Sequence, residues 1–273
     1  MNIAALFVTW NSVVFIDDSI GRLVKIFPSE DIIVVDNGSS DGTVEAVRTK
    51  YPGVRLHTLP VNTGFSGGNN YGLRIAMKDR YDAVCLLNID TIIEEDFIAP
   101  CSRLLEAAPS IGIIGPTVLE ATPENIIQCE GGRIRAWTLD FSYRRQGETY
   151  IREDKWVAVG YVLGAAMIIR REVIESIGIL DEDYFPAYVE EADFCYRAKM
   201  AGYASVVYKG SAIKHIGAQS AGSRQKAFNR ISTHRYLFAL KFMNPLMFFT
   251  GAMAITARAV YWKSRSLMFE RFR

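Results

Sequence analysis

The sequence predicts an α/β protein built on a mainly parallel central sheet flanked by helices, with a helical extension at its C-terminus. Short apolar runs of strand length alternate with helix-like segments through the first half of the chain. Several of those runs end abruptly in polar residues, as strands do where an open α/β sheet binds its ligand. From Gln225 the pattern changes to long apolar stretches rimmed by basic residues.

Each element has a local reason. Ile3–Val8, Ile32–Val35, Val54–Leu59 and Ala83–Leu87 are short apolar runs, as expected of strands covered on both faces. Val13–Phe27, Thr43–Lys50 and Gly68–Lys78 read as the helices that cross between them. The opening residues Met1–Val8 lack the basic flank and cleavage site of a signal peptide and read directly as the first strand. After Asp90, Glu94-Glu95-Asp96 reads as the start of a solvated helix. Ile111–Tyr150 mixes short strands with the turn signals Gly115-Pro116 and Gly131-Gly132. Its basic, aromatic part (Arg133, Arg135, Trp137, Tyr143, Arg144, Arg145) reads either as an exposed loop or as a flap facing an acceptor. Val157–Arg170 reads as a buried strand pair interrupted by Gly164, Ala165 and Ala166, which leave room for something bulky such as a sugar ring. Arg171 opens a short helix ended by Gly178, and a further helix begins near Glu190. The strand Ala204–Tyr208 then leads to a loop holding His215.

Composition removes several functions. At 273 residues and 49% hydrophobic, the chain can bury one large core or two smaller ones. A net charge of +1, spread along the chain, gives no argument for nucleic acid. Cys85, Cys101, Cys129 and Cys195 are far apart and form no Cys-x-x-Cys pair, which speaks against a zinc cage and fits a reducing compartment. Neither a Walker pattern nor Gly-x-Gly-x-x-Gly follows the first strand, against a P-loop ATPase or an NAD enzyme. No stretch reaches the ~20 uninterrupted apolar residues of a membrane span; Leu246–Trp262 comes nearest and is interrupted by Arg258.

The chemistry gathers at the strand ends. Asn88 and Asp90 follow the run Ala83–Leu87 and would share a side if the backbone stayed extended. Such an oxygen-rich pair suits a hard cation carrying a diphosphate, although a strand end capped by a turn has the same residues. Asp36 stands at the end of the second strand, ahead of a Gly- and Ser-rich turn that caps the next helix. A carboxylate there can accept from a base N–H or a ribose hydroxyl. Asn62–Asn70 is a second polar loop, whose glycines allow close backbone approach to a ligand and whose helix offers free N–H groups. Downstream, Glu190, Asp193 and Arg197 fall on one helical face as an ion-pair row, leaving Glu191 on another face, free to act as a general base, although a solvated acidic helix start has the same residues. A neutral His215 can complete a metal site with Asp90, although a lone histidine can equally be a structural one.

Four stretches in this order, Val34–Thr43, Asn62–Asn69, Leu87–Asp90 and Glu190–Asp193, resemble the motifs of the inverting glycosyltransferases of family 2, which have the GT-A fold, and most of all the bacterial rhamnosyltransferase-like branch. The agreement runs from residue 3 to about residue 218. It implies a nucleotide-sugar-binding half (1–120), an acceptor-binding and catalytic half of the same domain (121–224) and C-terminal amphipathic helices (225–273). Thr9, Asn11, Asp36, Asn62, Gly64, Asn69, Asn88 and Asp90 would bind the nucleotide, and Gly164, Ala165 and Glu190 the donor sugar. Asp90 and His215 would hold Mg²⁺ or Mn²⁺, and Glu191 would be the base. This sequence departs from the family pattern at Asn88, where a first Asp is usual, and at Glu191, where Asp is usual.

The resemblance implies transfer of a sugar, with L-rhamnose from dTDP-rhamnose the first expectation and a UDP-hexose or galactofuranose the alternative. The acceptor would be a saccharide or a polyprenyl-diphosphate-linked saccharide, at the cytoplasmic face of the plasma membrane. Phe228, Ile231, Leu237 and Phe238, interleaved with Arg230, Arg235 and Lys241, suit either an anionic membrane surface or a helical hairpin packed on the domain or across a dimer. Two rivals stay open: a sugar nucleotidyltransferase, which would need a Gly- and Arg-rich loop where Thr9-Trp10-Asn11-Ser12 stands, and a domain that binds nucleotide sugars without transfer.

Overall fold

The computed structural model describes residues 1–217 and 224–270, with the side chains of 224–228 and 258–270 excepted. The strands are β1 (Ile3–Thr9), β2 (Ile32–Asp36), β3 (Arg55–Thr58), β4 (Ala83–Asn88), β5 (Thr91–Ile92), β6 (Ile111–Glu120), β7 (Ile127–Cys129), β8 (Gly132–Arg135), β9 (Asp140–Tyr143), β10 (Trp156–Ala158), β11 (Ala166–Arg170) and β12 (Ala204–His215). The α-helices are α1 (Ile20–Leu23), α2 (Thr43–Lys50), α3 (Gly64–Lys78), α4 (Ile98–Ala107), α5 (Arg171–Ile177), α6 (Glu190–Met200), α7 (Arg224–Phe242) and α8 (Pro245–Glu270).

A single sheet runs in the order β10-β12-β6-β11-β4-β1-β2-β3. The pairs β3-β2, β2-β1 and β1-β4 are parallel, so the first half follows the expected alternation. Beyond β4 the sheet is mixed, because β11 runs antiparallel to both β4 and β6. Alternate residues of the central strands enter opposite cores. Ala5, Phe7, Val34, Cys85 and Leu87 join one cluster; Ala4, Leu6, Val35, Val84 and Leu86 join the other. Period-two geometry with both faces covered accounts for the unbroken apolar runs.

Four local expectations change. The helix expected over Val13–Phe27 is a turn at Val13–Phe15 followed by the short α1. Asp17, Asp18, Ser19 and Gly21 are poor helix formers, the Ser19 hydroxyl donates back to the Phe15 carbonyl, and Asp17 is drawn to Lys50 and Tyr51. Val157–Arg170 is not a strand pair: β10 is an edge strand on β12, whereas β11 lies between β4 and β6. His215 is the last residue of β12 rather than part of a loop, since that strand continues past an irregularity between Tyr208 and Ala212. The acidic run Glu94–Asp96 precedes α4, with Asp96 accepting from the Ala99 N–H.

Helices α7 and α8 form a hairpin against the domain. Phe238 is buried on α7 and meets Phe141 and Tyr196 edge-on, while Tyr236 donates to the Ala252 carbonyl of α8. Among the described residues, no helix is long and apolar enough to cross a membrane. The basic side chains Lys263, Arg265, Arg271 and Arg273, and that of Phe228, lie outside the described residues.

Candidate active site

Strands β2, β1 and β4 are neighbours in the sheet, so their carboxyl ends share one edge. A cavity of about 350 Å³ opens there, within the range of small-molecule sites. Asn11, Asn37, Asn62, Gly64, Asn69, Asn88 and Asp90 line it, together with Tyr188 and Arg230.

The loops that follow the first strands hold one another. Thr9 donates to Asp36 Oδ1 (2.9 Å) and the Ser39 N–H to Asp36 Oδ2 (2.9 Å), which ties the ends of β1 and β2 together. Asp36 is only 1% exposed, and neither it nor Thr9 lines the cavity; both fix the turn whose next residue, Asn37, does. Asn37 joins the loops: its Oδ1 accepts from the Thr63 N–H and hydroxyl, and its Nδ2 donates to Asn62 Oδ1 (3.1 Å) and the Gly64 carbonyl (3.0 Å). Asn62 Oδ1 also accepts from the Gly64 N–H, so α3 starts at Gly64, four residues before the expected Gly68. The glycines then serve different ends. A Cβ on Gly68 would strike Val8 at 2.6 Å, so Gly68 lets α3 lie close on β1 instead of opening the loop to a ligand. Gly64, at φ +77°, does line the cavity. Asn69 lines it too, while donating to the Phe65 carbonyl.

Asn88 and Asp90 reach the cavity by a route other than the expected one. The strand stops at Asn88 and the chain turns through Ile89 and Asp90, pinned by the Thr91 hydroxyl on the Asn88 carbonyl (2.7 Å). Both side chains nevertheless meet His215: its Nε2 stands 3.2 Å from Asp90 Oδ1 and 3.3 Å from Asn88 Nδ2. Burial opposes ionisation of Asp90, but the facing imidazole and backbone N–H groups outweigh it and hold the carboxyl below its usual range. A carboxylate and an imidazole nitrogen fit Mg²⁺ or Mn²⁺, whose octahedral donors at ~2.1 Å lie about 3 Å apart on adjacent vertices. Among the described residues no group of three or more His, Cys, Asp or Glu surrounds this point, so a cation there would draw its other ligands from water and phosphate.

On the far wall, Glu191 lines a second cavity with Phe141, Ser142, Tyr143, Tyr161 and Ile231. Tyr188 borders both cavities. The hairpin β8-β9 thus brings part of the basic, aromatic segment to the carboxylate. Tyr188 and Val189, at φ +88° and +78°, are both left-handed immediately before Glu190. For a β-branched residue this is strained backbone, of the kind that gathers at functional sites. The segment is gripped from two helices, with the Pro186 carbonyl accepting from the Phe65 N–H (2.7 Å) and the Tyr188 carbonyl from His234 Nδ1 (2.9 Å).

The expected ion-pair row is incomplete. Asp193 accepts from Arg197 (2.6 Å) and Tyr184 (3.0 Å), but Glu190, 3% exposed, is not in the row and its Oε2 has no hydrogen-bond partner. Burial, then the neighbouring Glu191, push the Glu190 carboxyl well above its ordinary value; burial pushes Glu191 up to about 7. The room expected at Gly164 is filled by protein, since a Cβ there would lie 3.2 Å from Phe65 and 3.9 Å from Glu191. Ala165 is buried and its carbonyl accepts from the Asn88 N–H. Asp90 and His215 are therefore in contact, Glu191 stands in the adjoining cavity, and Asp36 sits behind the wall. Asn37, Tyr188 and Arg230 line the site without having been singled out by the sequence. Asn37 was legible beside Asp36, whereas Arg230 lies in the tail and only packing brings it here.

A crevice at the carboxyl edge of such a sheet, with polar loops on one wall and a raised carboxylate on the other, is the form of a ligand-binding and catalytic site. The sequence profile of glycosyl transferase family 2 matches residues 5–178, and the chain belongs to that family. It is 28% identical over 232 residues to an N-acetylglucosaminyl-diphospho-decaprenol L-rhamnosyltransferase of Mycobacterium tuberculosis, covering 76% of this chain and 73% of that one. It is 31% identical over 174 residues to the low-salt glycan biosynthesis hexosyltransferase Agl10 of Haloferax volcanii, covering 62% of this chain and 53% of that one. Among solved structures it resembles the mannosyltransferase PcManGT from Pyrobaculum calidifontis in complex with GDP-Man and Mn²⁺, with TM-score 0.63, 17% identity and coverage of 95% and 75%. GalNAc-T7 with UDP, GalNAc and Mn²⁺ gives TM-score 0.65 at 15% identity, covering 88% of this chain and 50% of that one. The fold is GT-A, as the motifs implied, and the protein is a glycosyltransferase that uses a nucleotide sugar.

Proposed function

We propose that the protein is a divalent-metal-dependent, inverting glycosyltransferase that moves L-rhamnose from dTDP-rhamnose to a hydroxyl of a polyprenyl-diphosphate-linked saccharide. The observation that carries the mechanism is the pairing of walls: Asp90 beside His215 on one, Glu191 on the other, with Tyr188 bordering both cavities. The rhamnose and the lipid-linked acceptor are supported by the activity of the mycobacterial relative.

Asn11, Asn62 and Asn69 offer amides to the nucleotide, and Thr9, Asp36 and Asn37, whose own amide is bonded to Asn62, Thr63 and Gly64, brace that wall. Asp90 and His215 would hold Mn²⁺ or Mg²⁺, which when bound neutralises charge on the departing diphosphate. Arg230 adds a fixed positive charge to the same cavity. Glu191, ionised, takes the proton from the acceptor hydroxyl. The acceptor oxygen attacks the anomeric carbon, the bond to the diphosphate breaks, and the nucleoside diphosphate leaves with the bonding electrons. A single displacement inverts the configuration. The aromatic side chains around Glu191 suit the apolar faces of an acceptor sugar. Leu246, Phe249 and Met253, 61%, 66% and 73% exposed along one face of α8, would rest on the membrane that carries such an acceptor.

The test mixes the protein with dTDP-rhamnose, Mn²⁺ and N-acetylglucosaminyl-diphospho-polyprenol, measuring released dTDP and the product's anomeric configuration by NMR. Inverted product is expected. Retained configuration, or no release with any donor of a dTDP- and UDP-sugar panel, overturns the reading. Binding to anionic liposomes, lost on replacing Phe249 and Met253 with Ser, checks the membrane contact.

A further inference from the structure

His215 can ligate a cation through Nε2 only if the ring's proton sits on Nδ1, and the structure contains a device that puts it there. The device is built from three adjacent strand segments. His215 at the end of β12 is in register with Glu120 at the end of β6. On the other side of β6, Cys129 of β7 faces Val118 and Ile127 faces Leu119, so Gln128 has no opposite residue. It is the extra residue of a β-bulge, a feature that re-aims one side chain. Here it swings Gln128 across the strand ends to His215.

The amide has one satisfiable orientation. Gln128 Nε2 donates to Glu120 Oε2 (3.0 Å) and to the His215 carbonyl (3.3 Å). Both partners are acceptors, so a reversed amide would set oxygen against two oxygens. With the amide so fixed, Gln128 Oε1 lies 2.7 Å from His215 Nδ1 and must accept from it. A proton is thereby held on Nδ1, and Nε2 is the ring nitrogen left facing Asp90 Oδ1 and the Asn88 amide, where a cation would take its lone pair. Metal-binding imidazoles are oriented by just such an outer acceptor.

We propose that Gln128, aligned by Glu120, is a positioning residue that fixes the tautomer and plane of His215 for cation binding. The inference rests on the assignment of Asp90 and His215 as the cation site, and its test keeps the two apart. Mn²⁺ alone is titrated into the full chain, with free Mn²⁺ read by its paramagnetic resonance signal. The His215 ring is observed by ¹⁵N–¹H correlation, practicable because the chain has only 3 histidines. Gln128→Met, which keeps the bulk and removes the amide, should weaken Mn²⁺ affinity roughly ten- to a hundredfold and abolish the pure Nδ1–H pattern. Gln128→Glu keeps an acceptor for Nδ1 but sets two carboxylates together, and should lie between. The double variant Glu120→Gln with Gln128→Glu restores a donor to the pair and should recover both the affinity and the ring pattern, a rescue that a merely structural role would not give.

Wild-type affinity and an unchanged ring pattern in Gln128→Met overturn the proposal. So does a double variant no better than Gln128→Met. If His215→Ala abolishes Mn²⁺ binding while Gln128→Met does not, the relay falls and the cation site stands. If neither His215→Ala nor Asp90→Asn affects Mn²⁺ binding, the cation site falls and takes the relay with it.

Discussion

The polar-loop wall and the carboxylate wall of this cleft are built by opposite means. Around β1, β2 and the start of α3, polar side chains satisfy each other: Thr9 with Asp36, Asn37 with Asn62 and Thr63, Asn11 with Ser40. Buried polar groups paired in this way cost little and form a rigid, preshaped surface. At the start of α6 the reverse holds. Glu190 and Glu191 are adjacent, Glu190 Oε2 has no partner, and two consecutive residues ahead of them are left-handed. The polar-loop wall is preformed at low cost, whereas the carboxylate wall holds two adjacent carboxyls and a stretch of backbone in unfavourable states that the rest of the fold must offset.

This contrast can be broken at four points. The largest effect is expected at Glu191, the proposed base. Glu191→Gln should lower kcat by roughly 10²–10⁴-fold while donor affinity measured by calorimetry stays within about twofold; near wild-type turnover would remove Glu191 from the role. Burial places its carboxyl at about 7, and the base must be ionised to act. The kcat of the wild type should therefore rise with pH through that value and level off above it, and a flat profile between pH 5 and 8 would contradict the assignment.

Asp90→Asn should come next, weakening Mn²⁺-dependent donor binding by more than roughly a hundredfold, beyond what loss of an outer partner costs. Calorimetry with and without Mn²⁺ reads this directly, and equal affinity in both discards the cation assignment. Arg230→Ala removes a charge-assisted contact and should raise the donor KM about tenfold or more, with kcat moving less. An unchanged KM would return α7 to a purely structural part.

The smallest effect concerns stability. Glu190 has a folded pKa above its unfolded one, so the native state holds its proton more tightly. That contribution is fully present below the unfolded value and lost as pH rises through the folded one. Glu190→Gln cannot ionise, so it should melt with the wild type at pH 4 and above it at pH 8, by ~2–4 °C for each kcal/mol gained. A variant that melts lower at pH 8 would show that the ionised form of Glu190 has a partner after all.

Sequence periodicity determined the first half of the fold and the order of the motifs, because a strand buried on both faces must be apolar at every residue and end where it meets solvent. Ile3–Thr9 and Ala83–Asn88 follow that rule, and so does the polar edge they share. Asp90 was legible as a strand-end carboxylate, and Glu191 as a carboxylate set off from the Asp193–Arg197 pair, a row that Glu190 does not join. Tertiary structure alone decided how they act. Asn88 and Asp90 face one imidazole because the chain turns at Ile89, which alternation does not encode. Gln128 reaches His215 through a bulge that exists only once β6, β7 and β12 are side by side. Arg230, 140 residues beyond Asp90 in the numbering, reaches the same cavity because α7 packs over α6. Local pattern records what a residue must be buried against or exposed to; which distant side chain it meets is set by the packing of whole elements.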